Sequence, residues 1–222
     1  MFTHITEKHT FPRLIRETHD GKRCYMTDSG DRYPSITTVL GHKTAPSIQK
    51  WRKYVGEEEA DKISRQASVR GTKIHALCED YVLNQRTEVT QRNRMSIVEL
   101  QMFKDMKTYI DRVDNIHCVE QFLYSDHLRL AGQADLIAEF DGKLSIIDFK
   151  TSGKIKKKSY IKSYFAQCAG YAIMFEERTG IPIDQSVIII GVANEDPQLF
   201  VEKRDNYTDY LLECRDYYEE TA

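Results

Sequence analysis

Residues 133–150 constrain this chain more than any other segment, because two apolar-rich runs there are joined by Asp141-Gly142. An Asp-Gly pair between such runs favours a two-residue hairpin loop with both central residues at positive φ. That loop fixes the register, so Phe140 faces Lys143, Ile137 faces Ile146, and Asp135 is expected directly opposite Asp148. Like charges directly opposite across a sheet are destabilising. A chain retains them where a cation sits between the carboxylates, and a hard divalent ion with oxygen ligands suits that place. Lys150 follows two residues beyond Asp148 and shares its face. Two acids and a lysine on one spot are expected to form a metal site with a proton-handling group beside it. The opposite face should pair Ala134 with Phe149 and Leu136 with Ile147. Since Ile137 and Ile146 make the charged face apolar near the turn, a sheet covered on both sides is implied, with the acids where cover gives way to a cleft. Leu144, Ile146, Ile147 and Phe149 argue against a solvated surface hairpin.

Around this hairpin the chain reads as a mixed α/β domain with a central sheet flanked by helices. Its 222 residues suit a single domain over 1–222, with an N-terminal hairpin and helical region at 1–68 packed on a core at 69–222. A small hairpin is expected at 22–33, around Asp28 to Asp31. Pro46 and Ser47 should open a polar helix to about residue 60, with Trp51 as its anchor. Helices follow at about 69–83, with Ile74, Leu77, Cys78 and Tyr81 as the apolar stripe, and near 93–113, with Leu100, Phe103, Ile110 and Val113 on one side. Strands are expected at 116–124, 131–140 and 143–150. A helix at 160–179, strands at 186–192 and 198–203, and a terminal helix at 206–220 complete the pattern.

The net charge of -2 neither requires nor excludes a nucleic-acid partner, since an acidic site can sit inside a locally basic groove. No apolar run approaches the length of a membrane span, and residues 1–12 lack the apolar core of a secretory signal. The five cysteines are scattered without a C-x-x-C spacing, which points to reduced thiols in a cytoplasmic compartment and to neither zinc nor an iron–sulfur cluster.

Further candidate groups lie on either side of the hairpin. His75 and Glu79 are four apart on one helical face, a spacing that serves a surface pair or a ligand pair alike. Glu120, on the strand before the hairpin, is either an additional carboxylate or a solvated strand residue. After Lys150 come Thr151, Lys154, Lys156, Lys157 and Lys158. A basic run can be a plain solvated loop, but directly behind an acid-rich site it reads better as a phosphate clamp. Gln167 and Tyr171, four apart on the next helix, could bond or stack on a strand, with an interfacial aromatic as the plainer reading of Tyr171.

Taken together, Gly71-Thr72-Lys73-Ile74-His75, Gly132-Gln133-Ala134-Asp135, Asp148-Phe149-Lys150-Thr151 and the Gln167/Tyr171 pair resemble, in order, the motifs of the PD-(D/E)XK nuclease superfamily in its RecB-like exonuclease branch. Tyr33 to Leu40 is also similar to the opening segment of mitochondrial genome-maintenance exonucleases and their phage relatives. The resemblance implies a restriction-endonuclease-like core and a Mg²⁺-dependent DNA exonuclease, with Mn²⁺ able to substitute, favouring single strands or free ends. It would assign Asp135, Asp148 and Lys150 to catalysis. His75, Asp135, Asp148 and the Phe149 carbonyl would ligand metal, with Gln167 and Tyr171 supporting substrate and site. Ala134 stands where many members have proline. The cysteine quartet of the iron–sulfur subgroup is missing, and no G-x-x-x-x-G-K-[ST] helicase motif occurs. A structure-selective endonuclease or junction resolvase on the same core, and a catalytically silent DNA-binding module, are the competing readings. A compact enzyme of this kind would suit phage or organellar DNA metabolism, in the host cytoplasm if phage-encoded.

Overall fold

A computed structural model describes residues 1–6, 9–85 and 95–222. The chain opens with β1 (Ile15–His19), β2 (Lys22–Met26) and β3 (Arg32–Pro34), followed by α1 (Ile36–Val55), α2 (Glu57–Val82) and α3 (Ile97–Ile110). It continues with β4 (Val113–Ser125), β5 (Leu130–Phe140), β6 (Lys143–Ser152), α4 (Lys162–Thr179), β7 (Gln185–Val192), β8 (Gln198–Lys203) and α5 (Thr208–Thr221). β1 to β3 form a small antiparallel sheet. The main sheet has the order β4-β5-β6-β7-β8, and every neighbouring pair in it is antiparallel except β6 and β7. A parallel pair needs a long crossover, and α4 supplies it. The fold is thus a mixed α/β sheet flanked by helices.

Side-chain alternation distributes the core over both faces of this sheet. Ile137, Ile146, Ile188 and Ile190 meet Phe165, Ala169 and Ala172 of α4 on one side. Leu136, Ile147, Phe149, Val187 and Ile189 meet Ile74, Leu77 and Cys78 of α2 and Met102, Met106 and Ile110 of α3 on the other. The two-residue loop forms as expected, with Asp141 and Gly142 at φ 52° and 76°. Two glycines are required by close approach: a Cβ on Gly170 would lie 2.2 Å from Ile36 Cδ1, and one on Gly132 would lie 2.8 Å from Tyr171 Cε1. Ile36 therefore plugs the α4 face, and with Val39 and Leu40 it anchors the start of α1 in the core.

Several expectations change in the N-terminal third. The Asp20-Gly21 dipeptide, with φ 50° and 73°, closes an additional hairpin between β1 and β2. Pro46 does not open a helix; it lies inside α1, which starts ten residues earlier because burial of Ile36, Val39 and Leu40 outweighs the local penalty of an interior proline. Trp51 is 36% exposed and lies outside the buried core clusters. α2 starts at Glu57, not near 69, so a boundary at 68/69 falls inside a continuous helix. α3 begins after a capping box of Ser96 with Glu99 and ends at Ile110; positions 93–94 of the expected helix lie outside the described residues. Among the described residues no helix is long and apolar enough to cross a membrane.

Candidate active site

The expected register holds from the turn as far as Leu136 opposite Ile147, and there the β5–β6 ladder stops. Beyond that point β5 stays paired with β4 and leaves β6, which continues in parallel with β7, so the two strands fork. Asp135 sits at the fork. It does not face Asp148 in a ladder pair; its Oδ2 instead accepts a hydrogen bond from the Phe149 backbone N–H at 2.9 Å, a donor left free by the fork. Ala134 joins the α4-side core whereas Leu136 joins the opposite one, so β5 changes phase at Asp135 and the expected pairing of Ala134 with Phe149 is lost.

The residue across the ladder from Asp135 is Glu120, bracketed by the pairs Val119–Leu136 and Gln121–Ala134. Glu120 adopts φ 50° in mid-strand. A non-glycine residue in that left-handed region costs about 1–2 kcal/mol, and such strain gathers at functional sites. Burial, then the charges of Asp135, Glu79 and Asp148, push the Glu120 carboxyl up to about 8. The expected pairing of Asp135 with Asp148 is not formed; the acid that lies across from Asp135 is Glu120, on the other neighbouring strand.

α2 brings the third member. His75 Nδ1 lies 3.5 Å from Asp135 Oδ2, and its ring sits edge-on to Phe149. Ligand atoms of His75, Glu120 and Asp135 all fall within 4.8 Å of one another. Oxygen and nitrogen donors on one small cation, at about 2.1 Å each, lie within about 4.2 Å of one another. The three residues thus fit a divalent ion after small side-chain adjustments, and the uncompensated anionic charge that raises Glu120 invites one. Glu79 stays half-buried on α2, close enough for its charge to act on Glu120.

Asp148 lies outside this triplet, only 1% exposed. Its carboxylate is ion-paired with the Lys150 ammonium, and its Oδ1 accepts from Gln167 Nε2 at 3.0 Å. Burial raises the Asp148 carboxyl to about 6, with Lys150 pulling it down and Asp135 pushing it up. Burial alone would lower the Lys150 pKa, but Asp148 and Asp135 outweigh it and hold the ammonium above its ordinary value. The Lys150 Nζ also lies 5.2 Å over the Tyr164 ring. Tyr164, missed in the sequence, shares a helix face with Gln167 and Tyr171 through steps of three and four, and that spacing is the signal that could have found it.

Gln167 and Tyr171 both lie buried beside Asp148. Tyr171 is 2% exposed, packed against Gly132 and beside the Gln167 amide. Gln167 is also buried, and it spends its amide on Asp148. The Tyr171 hydroxyl in turn lies 3.5 Å from the same Gln167 amide nitrogen. Thr151 lies beside α2, its Oγ1 3.7 Å from where a Gly71 Cβ would be. In the basic loop Lys154 and Lys157 are exposed and Lys156 is half-buried, whereas Lys158 is ion-paired with Glu202.

Residues 48–220 match the sequence profile of the PD-(D/E)XK nuclease superfamily. Mitochondrial genome maintenance exonuclease 1 from Homo sapiens is 24% identical over 73% of this chain and 49% of its own length. The Mus musculus protein of that name is 22% identical over 67% and 48%. The chain thus spans about half the length of the curated relatives it matches. A solved structure from Eubacterium rectale, described as a candidate exonuclease, covers 68% of this chain and 64% of its own at 12% identity, with a TM-score of 0.46.

Proposed function

Because the chain belongs to the PD-(D/E)XK nuclease superfamily, we propose that it is a metal-dependent DNA exonuclease, hydrolysing phosphodiester bonds from free ends with a preference for single strands. Replication, recombination or repair is the setting such an activity serves. The observation that carries this reading is the convergence of His75, Glu120 and Asp135 beside the buried Asp148–Lys150 pair. Members of this family use divalent metals, and Mg²⁺ is the ion proposed here, with Mn²⁺ as a substitute that accepts the imidazole readily. When bound, such an ion supplies charge neutralisation at a phosphate and a more acidic water.

The chain's own residues then divide the work. His75, Glu120 and Asp135 would hold the ion, with Asp148 and the Phe149 carbonyl available at its rim. The Phe149 N–H orients Asp135, and Gln167 orients Asp148. Lys150 keeps its proton at Nζ while the two carboxylates are uncompensated, so it serves first as a donor toward a phosphate oxygen or an incoming water. Lys154, Lys156 and Lys157 supply phosphate contacts behind it.

The test is digestion of end-labelled DNA with Mg²⁺, comparing linear with circular and single-stranded with double-stranded substrates. Degradation of linear single strands with circles left intact is expected. Cleavage of circles would move the assignment to an endonuclease on the same core, and no cleavage in Mg²⁺ or Mn²⁺ would reject it.

A further inference from the structure

We propose that Tyr164 is a positioning residue for the candidate site: the face of its ring holds the Lys150 ammonium against Asp148 and leaves its last donor to a substrate phosphate. The proposal rests on the nuclease reading above. A lysine ammonium carries three donors on a flexible four-carbon stem, so a single ion pair does not fix its direction. Asp148 is the one carboxylate in ion-pairing reach of Lys150 among the described residues. A second restraint comes from Tyr164, whose ring centroid lies 5.2 Å from Nζ. That is inside the distance of about 6 Å at which a cation is drawn to an aromatic face, and the attraction strengthens where water is kept away. Lys150 is such a case, with its side chain only 20% exposed. Lys150, Tyr164 and Gln167 line one cavity of about 280 Å³ between the starts of α1 and α4, so the donor left over from Asp148 and the ring has that cavity to serve.

The ring is itself held in place. Tyr164 stands in the first turn of α4, where its N–H donates to the Ile161 carbonyl at 3.0 Å and the flanking Ile161 and Phe165 are buried. One turn on, Gln167 Nε2 donates to Asp148 Oδ1 at 3.0 Å. α4 therefore grips both halves of the ion pair from one face, the carboxylate through an amide and the ammonium through a ring. A buried tyrosine usually finds a partner for its O–H. The Tyr171 hydroxyl has Gln167 at 3.5 Å, whereas the Tyr164 hydroxyl has no hydrogen-bond partner among the described residues. The position thus uses the ring and not the hydroxyl, which sets phenylalanine apart from leucine as a replacement.

Two readouts on the whole protein test this. In ¹³C-lysine-labelled protein in EDTA, the Lys150 ε-methylene signal is assigned by its absence in Lys150→Arg. The ring should displace that signal upfield in the wild type and in Tyr164→Phe, and Tyr164→Leu should return it to the ordinary lysine position. In Mg²⁺, with a linear single-stranded oligonucleotide, Tyr164→Leu should lower kcat by about 2- to 30-fold, the range a cation–π contact supports. KM should stay within about twofold, because the ring acts through Lys150 and does not bind the strand. Tyr164→Phe should recover most of the loss. Circular dichroism checks that each variant is folded, and Tyr164→Met takes the place of Tyr164→Leu if that one is not. An equal loss of kcat in Tyr164→Phe and Tyr164→Leu would assign the effect to the hydroxyl and overturn the proposal. So would an ε-methylene signal that is the same in all three proteins. Cleavage by the wild type with kcat unaltered in Tyr164→Leu overturns the role of the ring alone and leaves the nuclease reading standing. A wild type that cleaves nothing in Mg²⁺ or Mn²⁺ sinks the nuclease reading, and this role with it, even where the upfield signal is seen.

Discussion

Replacing Glu120 by Gln is expected to stabilise the metal-free protein and to weaken its response to divalent cations. In the folded chain, burial and then Asp135, Glu79 and Asp148 push this carboxyl from its ordinary 4.5 to about 8. Between those values the native state holds a proton that the unfolded state has released. Stability falls as pH rises wherever the native state binds more protons, so the contribution is complete below about pH 4.5 and gone above about pH 8. At pH 7 the unfolded chain gains from about two and a half units of ionisation that the native chain forgoes. At 1.36 kcal/mol per unit this is about 3 kcal/mol, which solvent screening of a half-buried group reduces to about 2 kcal/mol. Gln keeps the side-chain shape and removes the titration. In a chain of this size each kcal/mol moves Tm by about 2–4 °C. Glu120→Gln should therefore raise Tm by about 4–8 °C at pH 7 in EDTA and flatten the decline of stability across the titration window. In millimolar Mg²⁺ or Mn²⁺ the wild type should gain more Tm than the variant, because it alone offers the second carboxylate. Thermal denaturation followed by circular dichroism, at several pH values with and without the cation, measures both effects. An unchanged Tm in EDTA together with an undiminished cation shift would refute the idea that Glu120 sits in a crowded anionic pocket.

Lys150→Met should abolish cleavage and cost about 3–5 kcal/mol in chemical denaturation, because it leaves the buried Asp148 without its ammonium; adding Asp148→Asn should restore stability but not activity. Neutralising Lys156 and Lys157 together should lower the magnitude of the salt slope of single-strand binding by about 1.4, and adding Lys158, already paired with Glu202, should change it by less. Gly170→Ala should lose about 1–3 kcal/mol through collision with Ile36, with Ile36→Val relieving part of the loss in the same unfolding assay. Burial favours protonation of Glu99, but the Ser96 N–H and Lys73 outweigh it and hold the carboxyl below its ordinary value. Its stabilisation is thus present above that value and lost as pH falls, and the gap in unfolding free energy between wild type and Glu99→Gln should be wide at pH 7 and narrow at pH 3.

The hairpin could be read from sequence because one dipeptide set its loop and side-chain alternation set its faces. The register set by that loop runs to Leu136 and Ile147 and ends one residue before Asp135 and Asp148. Extending a ladder assumes that both strands keep the same neighbour, and β6 is bound by β7 while β5 is bound by β4. Strand spacing carries no mark of where such allegiances divide. The positive φ of Glu120 is hidden for the same reason: it belongs to a packing conflict between two strands, and a glutamate shows no turn preference that would betray it. The start of α1 is hidden in the sequence because Pro46 is a local signal, whereas Ile36 is held by residues 96 and 134 positions away, Gly132 and Gly170.

The fork also explains how this sheet tolerates so many acids. Within an unbroken ladder, Asp135 opposite Asp148 would compete for space with backbone pairing and leave both carboxylates to repel each other. Parting the strands frees the Phe149 N–H to serve Asp135, and it leaves Asp148 on the α4 side, where Lys150 forms an ion pair with it and Gln167 donates to its Oδ1. Only Glu120 is left without a compensating partner among the groups that act on it, since Asp135, Glu79 and Asp148 all raise its pKa in the same direction as burial does. The repulsion among the site's acids is therefore relieved by holding a proton on one strained residue next to an imidazole. A cation placed there would relieve repulsion on Glu120 directly and would leave the Asp148–Lys150 pair intact. Glu120→Gln removes that titration without touching Asp135 or Asp148, so its effect on stability reads the crowding at Glu120 alone.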